Sequence, residues 1–159
     1  MYEFLEETVE RNMTSPAKAV APEMTAGDLL RLFATDDLDA YPVVSNGKLA
    51  GIVSKADALK AFAFSPDSIL PHYDDMMGTT VDEIMTRQVV TVDAGMRLQH
   101  VLHLMGAHHF KSLPVVDQNN RLKGMIARED VIRALAFCKC NRRQALPLVA
   151  PAVGYYAIA

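Results

Sequence analysis

One stretch decides the fold of this chain: Tyr41-Pro42-Val43-Val44-Ser45-Asn46-Gly47-Lys48-Leu49-Ala50-Gly51-Ile52-Val53-Ser54-Lys55-Ala56-Asp57. Apolar runs on both sides of an Asn-Gly pair predict an antiparallel hairpin, because these two residues supply the positive φ angles of a tight turn. The pair Ser54 and Asp57 then marks the start of a helix, which we predict to run from Lys55 to about Phe64.

The same stretch occurs a second time further along the chain. A shift of 72 residues places Pro42-Val43-Val44 on Pro114-Val115-Val116, and one extra residue in the second copy raises the shift to 73, which places Asp57 on Asp130. The single insertion falls in the predicted turn, so the copies are repeats of one structural unit. The same shifts also match Val9 with Val81, Met13-Thr14 with Met85-Thr86, Val20 with Val92, and Gly51 with Gly124.

Each copy predicts an α/β unit of about 55 residues with the order strand, helix, strand, strand, helix. The first strand is predicted near Lys18–Ala21 and again at Val89–Val92, and the second closing helix from Arg128 to about Cys138. A unit of this size buries only about 60% of its unfolded surface, whereas a chain of about 150 residues buries 68–70%. We therefore expect two repeats that pack on each other about a pseudo-twofold axis.

The repeats divide the 159 residues into five parts. We predict an N-terminal segment at 1–8, repeat 1 at 9–64, a linker at 65–80, repeat 2 at 81–138, and an apolar C-terminal tail at 139–159. The tail belongs to neither repeat, and either docking within the chain or association with a partner would cover its apolar residues.

Composition and charge exclude several classes of protein. The chain is 50% hydrophobic and 22% charged, which favours a folded core over disorder. A net charge of −3 and a pI near 5.9 argue against nucleic-acid binding, which needs many cations to neutralise phosphates. The acidic start resembles no secretory signal, and no apolar run reaches the roughly 20 residues of a membrane span, so we expect a cytoplasmic protein.

Several ordered motifs together resemble a known family. Repeat 2 carries Val81-Asp82-Glu83-Ile84-Met85-Thr86, then Leu113-Pro114-Val115-Val116-Asp117, then Gly124-Met125-Ile126 with Asp130, and repeat 1 carries the matching signs. This set resembles the CBS domain, and its occurrence twice resembles a tandem CBS pair, or Bateman module. No single motif is specific, but the ordered set in two copies is strong.

The resemblance implies a regulatory module without catalytic activity. Such pairs bind adenosine-containing ligands (AMP, ADP, ATP or S-adenosylmethionine) in clefts between the repeats, need no resident cofactor, and commonly form homodimers that act on a protein target. A second hypothesis is a ligand-free scaffold that keeps the fold for dimerisation and presents its C-terminal tail. A third is a metal-dependent enzyme that uses the histidines of the predicted helix around His100 and His103.

The family's ribose motif matches Gly51, Ser54 and Asp57 fully. An ionised carboxylate can accept hydrogen bonds from both ribose hydroxyls, and such charge-assisted bonds are strong. Ser54 and Asp57 also spell a capping box, which would satisfy the helix end with no ligand at all. Repeat 2 keeps Asp130 but has Ala127 in place of the serine. An aspartate without its capping partner favours ligand binding, although the helix dipole also explains it.

Phosphate binding depends on basic residues beside the Pro-Val-Val strands. Lys111 stands there in repeat 2, whereas repeat 1 has Asp39, which would repel a phosphate unless Lys111 reaches across the pseudo-twofold axis. Lys55 and Arg128, in the first turns of the closing helices, are further candidates, and solvated surface charge is the alternative reading of both. The adenine base needs an apolar slot, for which the candidates by family position, each also explicable as ordinary core, are Val20, Tyr41, Pro42, Val90, Leu113 and Pro114.

Metal and catalytic motifs are weak. His100 and His103 share a helix face, but their counterparts in repeat 1 are Asp28 and Arg31, which are typical of a solvated surface. Cys138 and Cys140 lack the spacing and the second cysteine pair of a zinc site. No P-loop, Gly-x-Ser-x-Gly or Gly-x-Gly-x-x-Gly motif is present, so we expect neither a metal site nor catalytic residues.

Overall fold

The computed structural model describes residues 2–62 and 73–137. Cys138 and Cys140, the predicted tail, and residues 65–72 of the predicted linker lie outside the described residues. Within the described ranges, no helix is both long and apolar enough to cross a bilayer. In chain order the elements are α1 (Tyr2–Glu6), α2 (Val9–Asn12), α3 (Ala26–Thr35), β1 (Ala40–Ser45), β2 (Lys48–Ser54), α4 (Lys55–Ala61), α5 (Tyr73–Gly78), α6 (Val81–Ile84), α7 (Leu98–His108), β3 (Ser112–Val116), β4 (Leu122–Ala127) and α8 (Arg128–Phe137).

Each repeat is built around the predicted hairpin. Strands β1 and β2 pair antiparallel, with Tyr41 opposite Val53, and β3 pairs with β4 in the same way. The turn residues Asn46 and Gly47 have φ angles of 52° and 76°, and Asn120 has a φ angle of 59°. The Asn-Gly turn is therefore confirmed, Asn120 takes a positive φ in the second hairpin, and α4 and α8 follow the hairpins as expected.

The strand predicted at the start of each repeat is much shorter than expected. Only one residue in each copy pairs: Val20 lies parallel to Val43 and Val92 parallel to Val115. The Val20 amide donates to the Pro42 carbonyl at 3.0 Å. A turn begins directly afterwards, since the Ala21 carbonyl accepts the Met24 amide at 3.2 Å, and this turn stops the pairing. A third strand is thus reduced to a single bridge in both repeats.

The two cores exchange their N-terminal segments. Val9 of α2 is fully buried in the core of repeat 2, together with Leu98, Val115 and Ile126. Conversely, Val81 of α6 is fully buried in the core of repeat 1. Neither repeat therefore completes its hydrophobic core with its own residues, which explains why units of about 55 residues occur as a pair.

Backbone hydrogen bonds fix this exchange at two equivalent places. Thr14 pairs with Met125 of β4 through bonds of 2.9 and 3.0 Å, and Thr86 pairs with Ile52 of β2 through two bonds of 2.9 Å. Each pairing adds one bridge from the opposite repeat to the hairpin. This matched pair of contacts is the pseudo-twofold relation that the repeat predicts.

Part of the segment predicted as linker is helical. Helix α5 packs against α3, and the Ala26 amide donates to the Thr79 carbonyl at 2.7 Å. A Cβ placed on Gly27 would come within 2.8 Å of the Met77 methyl carbon, so the two helices approach closely. The chain thus reaches repeat 2 along the surface of repeat 1.

Glycine permits the close approach at both exchange points. A Cβ on Gly124 would lie 2.7 Å from the Thr14 carbonyl oxygen, and one on Gly51 would lie 2.9 Å from the Thr86 carbonyl oxygen. Each obstacle is backbone, so it cannot be relieved by turning a side chain. Gly51, the first residue of the ribose motif, and its counterpart Gly124 therefore serve the packing of the repeats.

We expect Gly124→Ala to lower the free energy of unfolding by about 1–3 kcal/mol, because the added methyl overpacks the contact with Thr14. Gly106→Ala is the matched control, since its Cβ meets nothing within 4 Å and the residue lies in α7. The control should raise the free energy of unfolding by about 0.5–1 kcal/mol. Urea denaturation followed by circular dichroism measures both, and equal stability of the two variants would contradict the close-approach argument.

Candidate functional site

Two clefts lie between the repeats at equivalent positions. Cleft 1 has a volume of about 400 Å³ and is lined by the end of β2 and the start of α4 in repeat 1, and by Thr86 and residues 88–90 and 109–114 of repeat 2. Cleft 2 has a volume of about 570 Å³ and is lined by residues 14–18 and 35–40 of repeat 1, and by the end of β4 and the start of α8 in repeat 2. Both repeats therefore contribute walls to each cleft.

Ser54 and Asp57 form a complete capping box at the edge of cleft 1. The Ser54 hydroxyl oxygen accepts the Asp57 amide at 3.2 Å, and Asp57 Oδ2 accepts the Ser54 amide at 3.0 Å and the Ser54 hydroxyl at 2.7 Å. The other oxygen, Oδ1, contacts the exposed Lys60 ammonium at 3.4 Å. Capping thus engages one carboxylate oxygen, while both residues still line cleft 1.

Asp130 lies at the equivalent place in cleft 2 and keeps half of the box. Its Oδ2 accepts the Ala127 amide at 2.9 Å, and its Oδ1 accepts a bond from Arg133 at 3.1 Å. The aspartate therefore caps the helix without its serine partner, because the Ala127 amide needs no serine side chain to reach it. Its presence alone carries no evidence for a ligand.

The basic candidates are placed unequally. Lys111 lines both clefts and lies across the pseudo-twofold axis from Asp39, with 3.2 Å between its Nζ and Asp39 Oδ1. Lys55 lines cleft 1. Arg128 lines neither cleft, because its Nε donates to the Phe110 carbonyl at 2.8 Å. The cleft with the complete ribose motif therefore also contains two lysines, and Lys111 reaches across the pseudo-twofold axis to Asp39, which is the exception stated for the repulsion by Asp39.

The predicted apolar slot divides in two. Val90, Leu113 and Pro114 line cleft 1, where the Val90 side chain is exposed and the other two are buried. By contrast, Val20 and Tyr41 belong to the core of repeat 1 and line neither cleft.

Pro42 is also buried away from both clefts, so the base slot predicted from repeat 1 is corrected to core. Its carbonyl receives the Val20 amide, and Tyr41 packs on Phe33 with 5.0 Å between ring centroids. Apolar residues suit a ligand slot and a core equally, so residue type alone could not separate these roles.

At the wall of cleft 2, Lys18 and Asp36 form an ion pair that the sequence motifs did not predict. The Lys18 ammonium lies 2.8 Å from Asp36 Oδ1, and the Tyr41 hydroxyl donates to Asp36 Oδ2 at 2.6 Å. The Lys18 ammonium, and then the Tyr41 hydroxyl, hold the pKa of the Asp36 carboxyl below its usual value. Burial, and then the bond to Asp36, raises the pKa of the Tyr41 hydroxyl. At neutral pH the carboxylate is charged and the phenol is neutral.

His109 and Phe110 are further lining residues of cleft 1 that the motifs did not indicate. They follow α7, where His109 adopts a left-handed φ of 57° that ends the helix. The shift of 72 residues aligns them with Asp37 and Leu38, which line cleft 2. The repeat therefore indicates that the residues directly after the long helix of each copy line a cleft. In the part of the chain that the structure describes, no three His, Cys, Asp or Glu side chains are grouped as a metal site.

Comparison with known proteins decides the family. The model of the CBS domain matches residues 7–64 and again residues 81–137. This chain belongs to the CBS-domain family. The two matches cover both hairpins, both closing helices and the residues that line the two clefts, so the tandem pair expected from the sequence is confirmed.

Solved structures of CBS pairs share this fold. The crystal structure of protein MJ1225 from Methanocaldococcus jannaschii superposes with a TM-score of 0.76 at 28% identity, over 82% of this chain and 48% of that chain. This chain therefore spans about half the length of that relative. CBSX2 from Arabidopsis thaliana, solved in complex with AMP, gives 0.69 at 26% identity, over 81% and 96% of the chains. The CBS domain pair of protein MJ0100, in complex with 5′-methylthioadenosine and S-adenosyl-L-methionine, gives 0.67 at 25% identity, over 81% and 99%.

We expect Ser54→Ala to lower the free energy of unfolding by about 1 kcal/mol, because it removes one half of the capping box. The converse change, Ala127→Ser, supplies the missing hydroxyl beside Asp130 and should raise the free energy of unfolding by a similar amount. Chemical denaturation without ligand measures both. A Ser54→Ala protein with the same free energy of unfolding as the original would show that the capping box does not contribute to stability.

Proposed function

We propose that the protein is a regulatory module that binds an adenosine-containing ligand in cleft 1 and catalyses no reaction. The observation that carries this proposal is the composition of one cleft. Asp57, an apolar wall and two lysines line it together, and they come from both repeats. These groups match the ribose, the base and the phosphate of a nucleotide.

The ribose would bind at Asp57. Its Oδ2 is occupied by Ser54, but Oδ1 contacts only the Lys60 ammonium among the described residues, at 3.4 Å, and that lysine side chain is 77% exposed. Such an exposed pair exchanges readily with solvent. A ribose hydroxyl could therefore donate to Oδ1 while the capping box stays intact, so capping and ligand binding coexist in one carboxylate.

The base and the phosphate have separate walls. Val90, Leu113 and Pro114 supply apolar surface on which an adenine ring could lie. On the polar side, Lys55 and Lys111 supply cations, and His109 can donate a hydrogen bond to a phosphate oxygen in either protonation state. A cleft of about 400 Å³ is also within the size range of small-ligand sites.

The ligands named for two related CBS pairs support the adenosine class. AMP is bound by CBSX2, and 5′-methylthioadenosine and S-adenosyl-L-methionine are bound by MJ0100. These molecules share adenosine and differ in the charge of the 5′ substituent. We therefore propose from these relatives only that the ligand contains adenosine. The charges of this chain determine which 5′ substituent it accepts.

Regulation would follow from the shared walls. A ligand in cleft 1 touches α4 of repeat 1 and residues 109–114 of repeat 2 at the same time. It would favour the packing of the repeats that closes these walls on it, and a partner protein that reads this packing would respond. The effect depends on unequal affinity for the two packings, since equal affinity shifts no population.

We expect AMP, ADP, ATP or S-adenosylmethionine to raise the melting temperature in a thermal-shift screen that includes NADH for comparison. Ligand at 100 times its Kd adds about 2.7 kcal/mol, which raises Tm by roughly 5–10 °C for a protein of this size. Asp57→Ala should weaken AMP binding by about tenfold to a hundredfold, the value of hydrogen bonds to a charged group.

Asp130→Ala is the matched control, because it also removes a carboxylate that accepts the amide of a capping position. It should leave AMP binding within about twofold of the original. Absence of any thermal shift would remove the main support for a sensor, and a stronger effect of Asp130→Ala would refute the assignment of the site.

A second candidate function is a scaffold for self-association. Leu59 on α4 and Ile132 on α8 occupy equivalent positions and are 65% and 62% exposed. Exposed leucine and isoleucine at symmetry-related places favour a homodimer, since a twofold interface uses the same patch on both copies. Association of this kind is compatible with a ligand in cleft 1 or with none.

If these two side chains build a homodimer, the double variant Leu59→Lys and Ile132→Lys should reduce the mass in solution to that of a monomer. Two buried cations would have no partner in such an interface. Light scattering measures the mass, and the thermal transition reports whether the variant is folded. A folded variant that keeps the mass of a dimer would place the interface elsewhere.

A further inference from the structure

We infer that the two clefts take adenosine ligands of different charge: cleft 1 binds the phosphorylated ligand, and cleft 2 binds one whose 5′ substituent is neutral or positively charged. This inference rests on the proposed function, because it assumes that the clefts bind adenosine ligands. It comes from the charges that remain in each cleft after the ion pairs are removed.

One ion pair is common to both clefts and favours neither. Lys111 and Asp39 line cleft 1 and cleft 2 alike, and they contact each other at 3.2 Å on the pseudo-twofold axis. Because the pair is equally available from both sides and is close to neutral, the difference between the clefts arises from the other residues.

The charge that remains in cleft 1 is positive. Asp57 is held by the capping box and faces the Lys60 ammonium. Lys55 lines the cleft and takes part in none of the ion pairs found among the described residues. With His109 as a further donor, cleft 1 holds an uncompensated cation and a group that can bond to a phosphate oxygen.

The charge that remains in cleft 2 is negative. Lys18 is paired with Asp36 at 2.8 Å, and Asp130 is paired with Arg133 at 3.1 Å. Asp37 and Glu129 also line the cleft, and neither belongs to an ion pair within residues 2–62 and 73–137. Both side chains are exposed, and as acidic residues they add negative charge to the wall of this cleft.

The difference falls at equivalent positions. The shift of 72 residues places Asp37 on His109, and the shift of 73 places Glu129 on Ala56. The cation that corresponds to Lys55 is Arg128, and its guanidinium is turned away to the Phe110 carbonyl. The two clefts thus share one backbone arrangement. Two residue differences and the direction of the Arg128 side chain give them opposite net charge.

These charges are sufficient to separate ligands. A carboxylate about 4 Å from a phosphate costs about fivefold in affinity even at the dielectric constant of water, and more where water is partly excluded. Two such carboxylates should weaken AMP in cleft 2 by about tenfold or more relative to cleft 1. A sulfonium at the same 5′ position, as in S-adenosylmethionine, would be attracted by the same groups.

Equilibrium dialysis with radiolabelled AMP and S-adenosylmethionine tests the inference on the full chain. We expect one AMP per chain in the tight phase, and one S-adenosylmethionine that still binds to protein saturated with AMP. Two equivalent AMP molecules per chain, or full displacement of S-adenosylmethionine by AMP, would overturn the inference and leave the proposed function standing. Binding of neither ligand would refute both.

Exchange of the two equivalent residues provides matched variants. The double variant Asp37→His and Glu129→Ala gives cleft 2 the residues of cleft 1 and should raise the tight AMP stoichiometry from one to two. The reverse pair, Ala56→Glu and His109→Asp, should weaken AMP in cleft 1 by about tenfold or more.

All four positions are exposed, and aspartate tolerates the left-handed backbone of His109, so neither variant should lose its fold. The thermal transition without ligand verifies this for each variant. An unchanged AMP stoichiometry in the first variant, with the fold intact, would show that these charges do not select the ligand.

Discussion

Two backbone pairings hold this structure together: Thr14 with Met125, and Thr86 with Ile52. Each ties the N-terminal segment of one repeat to the hairpin of the other. Upstream of the pairings, Val9 and Val81 are buried in the opposite cores. Downstream, the same segments continue directly into residues 14–18 and 86–90, which form walls of the two clefts. Core and clefts are thus consequences of the same exchange.

The proposed function gives the Asp57 carboxylate two roles, and Asp130 has the same helix-capping geometry. Both accept the amide at the start of a closing helix, which fixes their orientation at the edge of a cleft. A ligand that bonds to the second oxygen finds it already oriented, so little side-chain entropy is lost on binding. Repetition of the fold therefore supplies two similar frames, and exposed residues around each frame supply the differences.

The sequence predicted the hairpins and closing helices well because their signals are local. Asn46-Gly47 fixes a turn, and Ser54 with Asp57 starts a helix, whatever the rest of the chain does. The exchange could not be predicted in this way, since Val9 and Val81 are matched residues that fit either core. The same limit applied to Tyr41, whose ring suits a ligand slot and a core equally and is found in the core.

The exchange also imposes an order on folding. The ribosome makes Phe4 and Val9 long before Ile126 and Val131, which share their hydrophobic core. The segment around Val9 must therefore stay without these core partners until repeat 2 has emerged. Contacts so distant in sequence are closed late and at a high cost in chain entropy, which slows folding.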